Sequence, residues 1–297
     1  MKAQQSTAQA ITPQLRQWII DQATAGCRPE DVLKSMQDAG WQEEVAIQAM
    51  ETTLQAHLSG QANPAQAALT VAQEAVPLAV PVPDANLNDS ALYLDAGDRQ
   101  VHVLSAMKHP RILVLGNMLS DDECEALIEA AKPRLARSLT VSTQTGGEEV
   151  NADRTSNGMF FPRGDNEVVK RLEARIAKLF DWPLENGEGL QVLHYRPGAE
   201  YKPHYDYFDP KEPGTRSILQ RGGQRVATVL VYLSEPEKGG GTTFPDVNLE
   251  VTPKRGNAVF FSYDKAHPST KSLHGGAPVI AGEKWIATKW LREREFV

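Results

Sequence analysis

The sequence predicts an α+β protein, with helices packed on one side of an antiparallel sandwich or jelly roll and a small three-helix bundle in front. Three observations carry this reading. Apolar residues recur at helical spacing up to about Leu58 and again between Cys124 and Leu179. After Asp181 that spacing gives way to short apolar runs separated by glycine and proline turns. Between the helical regions, from Ser59 to about Asp89, the composition shifts to Ala, Gln, Val and Pro. Helices followed by many short strands is the pattern of a segregated α+β architecture.

Bulk properties narrow the function classes. A chain of 297 residues, 41% of them hydrophobic, has room for one large domain plus an appendage. The formal net charge of −7 argues against a general nucleic-acid binder, which carries a basic stripe. Only Cys27 and Cys124 occur, far apart, so neither a disulfide scaffold nor a cysteine-ligated zinc site is supported. Cys124 falls on the apolar face of a helix and reads as a buried thiol. Met1–Gln14 is polar, without the apolar core of a signal peptide, and no apolar run is long enough to span a bilayer. The expectation is a cytoplasmic protein without nucleic-acid or membrane partners.

Three segments follow. Residues 1–58 read as three short helices. Thr12 is an N-cap with Pro13 at the first helical position, where its missing N–H does no harm. Leu15, Trp18 and Ile19 begin the first stripe, Val32, Leu33 and Met36 the second, which Gly40 ends, and Val45, Ala49, Met50 and Leu54 the third. The pattern is similar to small ubiquitin-associated modules, which would imply a protein partner for the bundle. Residues 59–90, with Pro64, Pro77, Pro81 and Pro83, read as an extended linker.

Residues 91–297 form the main domain. Arg111–Leu115 is a short strand. Ser120 and Glu123 have capping-box spacing ahead of a helix carrying Leu127 and Ile128. Asp165 opens a second helix with Val169, Leu172 and Ile176 in register. Strands are expected at Leu190–Tyr195, Tyr201–Tyr207, Arg225–Leu233, Asn257–Phe261 and Lys284–Leu291. The charged loop Asp209–Gln220 and the stretch Thr140–Val150 read as mobile segments able to form a lid.

The chemistry concentrates in Tyr201-Lys-Pro-His204-Tyr-Asp206. On a strand, residues two apart share a face, so His204 and Asp206 project together. An imidazole and a carboxylate are two of the three ligands of an Fe(II) facial triad. His-x-Asp alone is a common pattern. Downstream, His274 precedes Gly275-Gly276, and glycines there let the backbone turn tightly and approach a ligand. Ten residues later Lys284 begins a strand whose same-face set is Lys284, Ile286, Thr288 and Trp290. A lysine on an apolar face needs an anion. A dicarboxylate chelating the iron would supply one.

These residues resemble the signature of 2-oxoglutarate-dependent dioxygenases of the prolyl 4-hydroxylase type. The match includes Tyr195-x-x-Gly198-x-x-Tyr201-x-x-His204-x-Asp206, Gly222-Gly223-Gln224-Arg225 before a strand with Thr228, Gly240-Gly241-Thr242-Thr243-Phe244-Pro245, and Lys284-Trp285. The resemblance implies a double-stranded β-helix (jelly-roll) catalytic domain, with Fe(II), 2-oxoglutarate and O2, and ascorbate as reductant. His204, Asp206 and His274 would ligate iron and Lys284 would pair with the distal carboxylate of 2-oxoglutarate. Tyr195 and Thr228 would line the cosubstrate pocket, with Trp290 closing it, and Tyr201 and Arg225 would face a proline-containing peptide or protein. For Tyr201, Thr228 and Trp290, core packing on a sheet is the competing reading.

His57, His102, His109, His194 and His267 read as surface or packing residues, His267 being the rival third ligand. Arg154 matches a family position without an assigned role. Two other functions stand beside peptidyl-proline hydroxylation. One is a 2-oxoglutarate oxygenase of another residue, a free amino acid or a small molecule. The other is an inactive binding scaffold recruited through the N-terminal bundle.

Overall fold

The computed structural model describes residues 11–24, 26–58, 77–88, 91–138, 140–141, 148–149 and 153–297. The first ten residues, most of the expected linker (59–76 and 89–90) and most of the expected 140–150 lid lie outside the described residues. Two compact units divide at residues 75 and 76.

The first unit contains helices α1 (Pro13–Thr24), α2 (Pro29–Asp38) and α3 (Glu43–Leu58). The Thr12 hydroxyl accepts the Leu15 backbone N–H at 3.2 Å, the contact expected of an N-cap. Ile19, Val32, Met36, Ala46, Ala49 and Met50 are buried together as a small core. Gly40 adopts φ +90°, the left-handed conformation that ends α2.

The second unit is built on two antiparallel sheets. In chain order its strands begin with β1 (Tyr93–Asp95), β2 (Gln100–Met107), β3 (Arg111–Gly116), β4 (Ala136–Arg137), β5 (Thr140–Val141), β6 (Glu148–Glu149), β7 (Asn157–Phe161) and β8 (Leu190–Tyr195). They continue with β9 (Tyr201–His204), β10 (Arg225–Tyr232), β11 (Lys238–Gly239), β12 (Thr242–Phe244) and β13 (Leu249–Val251). The last are β14 (Ala258–Ser262), β15 (His274–Gly276), β16 (Val279–Ala281) and β17 (Lys284–Arg292). The nine-stranded sheet has the order β1-β2-β3-β14-β10-β17-β8-β7-β4, and a four-stranded sheet the order β13-β12-β15-β9. Facing antiparallel sheets of this kind are consistent with a jelly roll. No helix among the described residues is long and apolar enough to cross a membrane.

Helices α4 (Asp121–Ala131) and α5 (Glu167–Leu179) cover one face of the large sheet. Their Leu127, Ile128, Val169, Leu172 and Ile176 share a core with Leu113, Val229, Phe260 and Ala287. The capping box at α4 is complete: Ser120 Oγ accepts from Glu123 N at 3.2 Å and Ser120 N donates to Glu123 Oε2 at 2.9 Å. Cys124 is fully buried on this face, and burial pushes its thiol up to about 11. Asn166, one residue later than Asp165, caps α5 by accepting from Val168 N and Val169 N, both at 3.0 Å. On the other face a second core includes Tyr195, Tyr232, Phe261, Tyr263 and Ile286. β17 is buried along its whole length. It sends Ile286 to this core and Trp285, Ala287 and Leu291 to the helix side.

Three expectations change. The strand expected over Tyr201–Tyr207 stops at His204. Beyond it, past the expected strand, the Gln224 amide takes both backbone groups of Phe208, accepting from its N at 2.8 Å and donating to its O at 2.7 Å. The Asp209–Gln220 loop contains a short helix α6 (Thr215–Leu219) with Thr215 and Ile218 buried, so that part is packed rather than free. The expected linker also ends early. Val80 N donates to Asp264 O at 2.8 Å, Asp84 pairs with Arg111 at 2.6 Å, and Ala85 is buried in the main core. The fixed φ of proline suits an extended chain, and here that chain is docked as a strap from residue 77 onward.

A chain beginning at residue 91 is therefore expected to melt lower than one beginning at residue 76. Loss of the strap's ion pair and buried alanine should cost about 1 kcal/mol or more, roughly 2–4 °C in a thermal melt. Equal midpoints would show that the strap contributes nothing.

Candidate metal centre and its cavities

The pairing of β9 with β15 builds the centre. His204 and His274 are direct cross-strand partners, although far apart in sequence. Their ring centroids lie 4.4 Å apart. The close strand approach requires Gly275, since a Cβ there would come 2.9 Å from Tyr201 O and 3.1 Å from Pro203 N. Asp206, in the bend after β9, brings Oδ1 to 3.6 Å from His204 Nε2 and Oδ2 to 3.4 Å from His274 Nε2. One ligand atom from each residue lies within 4.8 Å of the others.

Hydrogen bonds on the far side of each group set its chemistry. Nδ1 of His204 lies 2.9 Å from Lys202 O, and Nδ1 of His274 lies 3.0 Å from Ser272 O. A carbonyl only accepts, so each Nδ1 carries a proton, which leaves Nε2 as the nitrogen that can ligate an ion at the centre. Burial and the neighbouring His274 hold the His204 pKa below its usual value, favouring the neutral, ligating form. Burial opposes charge on Asp206, but His274 and His204 outweigh it and hold the carboxyl well below the usual range. Thr228 Oγ1 donates to Asp206 Oδ2 at 2.7 Å. Two neutral nitrogens and one anionic oxygen, each backed by an outer hydrogen bond, fit a non-haem Fe(II) ion with open positions.

Two cavities meet at this cluster and share Arg154, Tyr201, His204, Asp206 and Trp290 in their walls. The inner one, about 40 Å³, is lined by Tyr195, Thr228, Thr242, His274 and Lys284. The outer cleft, about 260 Å³, is bordered by Arg137, Phe160, Tyr205, Phe208 and Arg225. Lys284 is 2% exposed and pairs in register with Tyr195, its Nζ 5.1 Å from that ring's centroid. No carboxylate lies within ion-pair distance of it among the described residues. Burial pushes its ammonium pKa down to about 8, with Glu250 partly opposing the shift.

The remaining candidates are placed as follows. Tyr195 lies on the inner wall, and Thr228 both lines that wall and hydrogen-bonds Asp206. Trp290 stands between the cavities with its Nε1 buried and without a hydrogen-bond partner. Tyr201 stacks on His204 at 3.7 Å. Arg225 borders the cleft and lies 3.9 Å over the Trp290 ring, but its Nε and Nη2 are both engaged by Glu188, at 2.7 and 2.9 Å. His267 is not at the centre; it caps a turn, accepting from Ser269 N at 3.1 Å. His194 stacks on Trp285 at 4.1 Å and contacts Glu283 at 2.9 Å.

Sequence reasoning missed several residues. Glu188 and Arg292 complete the Arg225 network, Arg292 Nε donating to Glu188 Oε1 at 2.7 Å. Arg225 and Arg292 are cross-strand partners, and two facing cations call for a carboxylate. That signal exists only once the strand pairing is known. Thr242, on the inner wall, received no role although its motif was noted. Arg154 enters both walls, its Nη2 2.7 Å from Gln191 Oε1 and its guanidinium 4.9 Å from the Tyr201 ring.

Fold and centre together define a 2-oxoglutarate- and Fe(II)-dependent oxygenase, and the profile of the 2OG-Fe(II) oxygenase superfamily matches residues 190–292. Prolyl 4-hydroxylase 5 of Arabidopsis thaliana is 43% identical over 221 residues, covering 67% of this chain and 74% of that protein. Prolyl 4-hydroxylase 2 of the same plant is 41% identical over 210 residues, covering 63% and 69%. Among solved structures, the viral collagen prolyl hydroxylase of Paramecium bursaria Chlorella virus-1 in its 2OG complex aligns at 31% identity. That alignment has a TM-score of 0.47 and covers 61% of this chain and 95% of that one. The chain belongs to the prolyl 4-hydroxylase family.

The buried ammonium predicts a pH signature for the ligand-free protein. Its folded pKa of about 8 lies below the ordinary lysine value of 10.5, so desolvation destabilises the fold fully below pH 8, by on the order of 3 kcal/mol. That penalty is relieved as pH rises from 8 toward 10.5. Lys284→Met should raise the urea midpoint at pH 7, and its advantage should shrink across that interval. A pH-independent difference would contradict this assignment.

Proposed function

We propose that this chain hydroxylates prolyl residues of peptides or proteins to 4-hydroxyproline, consuming 2-oxoglutarate and O2 and releasing succinate and CO2. The observation that carries the reading is the buried ammonium of Lys284, without an ion-pair partner among the described residues, in the cavity that the His204–Asp206–His274 cluster borders. A small dianion that reaches the metal with one end and the ammonium with the other satisfies both. Relatives named prolyl 4-hydroxylases, and a cleft walled by Tyr201, Tyr205, Phe208 and Trp290, support a proline-containing segment as the second substrate. Flat aromatic walls suit extended proline-rich chain.

His204, Asp206 and His274 would hold Fe(II), which when bound supplies the O2 chemistry, one oxygen atom going to succinate and the other to the hydroxyl. Lys284 would take the distal carboxylate of 2-oxoglutarate, and Tyr195 and Thr228 would border the cosubstrate. Trp290 separates the two compartments and would shield the reaction from water. Tyr201 and Arg225 would border the peptide, with Glu188 holding the Arg225 guanidinium flat against Trp290. Ascorbate is the proposed reductant.

Incubation with Fe(II), ascorbate, 2-oxoglutarate and a proline-containing peptide should give a mass shift of about +16, one added oxygen atom. Free amino acids shifting while no peptide does would assign a different substrate. His274→Ala should lose 2-oxoglutarate turnover, and wild-type turnover in that variant would remove His274 from the ligand set. Lys284→Ala should raise the 2-oxoglutarate requirement roughly 10- to 100-fold, the loss of a charge-assisted contact.

A further inference from the structure

Asp206 differs from the two histidines in how it is held. His204 and His274 are fixed by strand pairing and by backbone carbonyls, whereas Asp206 lies in the bend past the end of β9, where the pleat no longer aims its side chain. The group that does hold it is Thr228 Oγ1, 2.7 Å from Oδ2. Behind Thr228 stands Tyr263, its hydroxyl 3.0 Å from the same Oγ1. Thr228 and Tyr263 are both essentially buried, at 1% and 2% exposure.

The direction of this relay follows from proton counting. An ionised carboxylate only accepts, so Thr228 gives its single proton to Asp206. The Thr228 oxygen can then only accept from Tyr263, whose phenol must donate. Tyr263 is itself fixed: its backbone N donates to Val226 O at 2.9 Å, and its ring packs edge-on against Tyr207 at 6.2 Å. Thr228 sits on β10 and Tyr263 directly follows β14, adjacent strands of the large sheet. A carboxylate on a bend is thereby tied to two paired strands inside the nine-stranded sheet.

We propose that Tyr263 is a positioning residue of the metal centre, acting through Thr228 to fix the Asp206 carboxylate. The inference rests on the reading of His204, Asp206 and His274 as the metal ligands. Outer hydrogen-bond partners of metal ligands are typically worth 10- to 100-fold in metal affinity. Removing the phenol oxygen leaves Thr228 in place but lets its hydroxyl, and with it the carboxylate, choose other orientations.

The test is an anaerobic titration of the metal-free protein with Co(II), a stand-in for Fe(II), followed by the visible absorption of the bound ion. Tyr263→Phe is expected to weaken Co(II) binding roughly tenfold, at the low end of that range. Thr228→Val should weaken it at least as much, and Tyr263→Phe added to Thr228→Val should bring no further loss. Thr228→Ser, which restores a hydroxyl, should recover most of the affinity, and there Tyr263→Phe should weaken binding again. Wild-type affinity in Tyr263→Phe overturns the proposal, as does an undiminished effect of that change beside Thr228→Val. A purely structural role would lower the melting midpoint and leave Co(II) affinity and spectrum unmoved. Should Thr228→Val fail to fold, Tyr263→Phe with and without Thr228→Ser decides. Wild-type protein that takes up no Co(II), or His274→Ala protein that takes it up equally well, defeats the ligand set itself and the relay with it.

Discussion

The antiparallel register of β9 against β15 is the constraint on which the rest of the site depends. It places His274 directly opposite His204, and the side-chain period of a strand is two. A slip of one residue would turn His274 to the other face, leaving a single imidazole beside Asp206. Gly275 admits the close approach and Gly276 continues it opposite Tyr201. The outer hydrogen bonds to Lys202 O and Ser272 O then select the nitrogen each ring presents. Backbone geometry therefore fixes two ligands, and side chains of the large sheet fix the third.

Buried charge is handled in two ways around this centre. Glu188 receives both Arg225 and Arg292, and the buried Lys289 is paired with Glu173. Each of these cations has a carboxylate partner, and breaking one partner of such a set strands the others at several kcal/mol. Lys284 is built differently: it packs on the Tyr195 ring, and no carboxylate lies within ion-pair distance of it among the described residues. The contrast separates cations held by a carboxylate, Arg225 at the edge of the cleft among them, from one with no ion-pair partner among the described residues. Lys284 and Lys289 stand five residues apart on the same strand, on opposite faces, so the sheet itself divides structure from site.

Much of this was legible in the sequence because it obeys local periodicity. The capping box at Ser120, the apolar stripe of α5 and the parity of Lys284, Ile286, Thr288 and Trp290 all follow from spacings of 3.6 or 2. His204, Asp206 and His274 do come together, and Lys284 lines the adjoining cavity. What stayed hidden depends on pairing across the fold. Arg225 facing Arg292, and Glu188 between them, cannot be seen without strand register, nor can Tyr263 behind Thr228. Alternation puts Asp206 on a strand, whereas the strand ends at His204 and Asp206 lies in the bend beyond it. The docking of the strap from residue 77 is not legible because proline composition reports stiffness and says nothing about contacts. β2 escaped notice because its exposure does not alternate cleanly.

The solitary ammonium of Lys284 also bears on how long the folded chain persists. A cation folded in ahead of its counterion leaves the protein poised below its attainable stability. Any small dianion that settles beside it adds RT ln(1 + [L]/Kd), about 2.7 kcal/mol at a hundredfold excess over Kd. Occupancy and resistance to proteolysis then become one variable. In a cell starved of such a dianion the chain would open more often and be cleared sooner, so supply would set abundance without any change in synthesis.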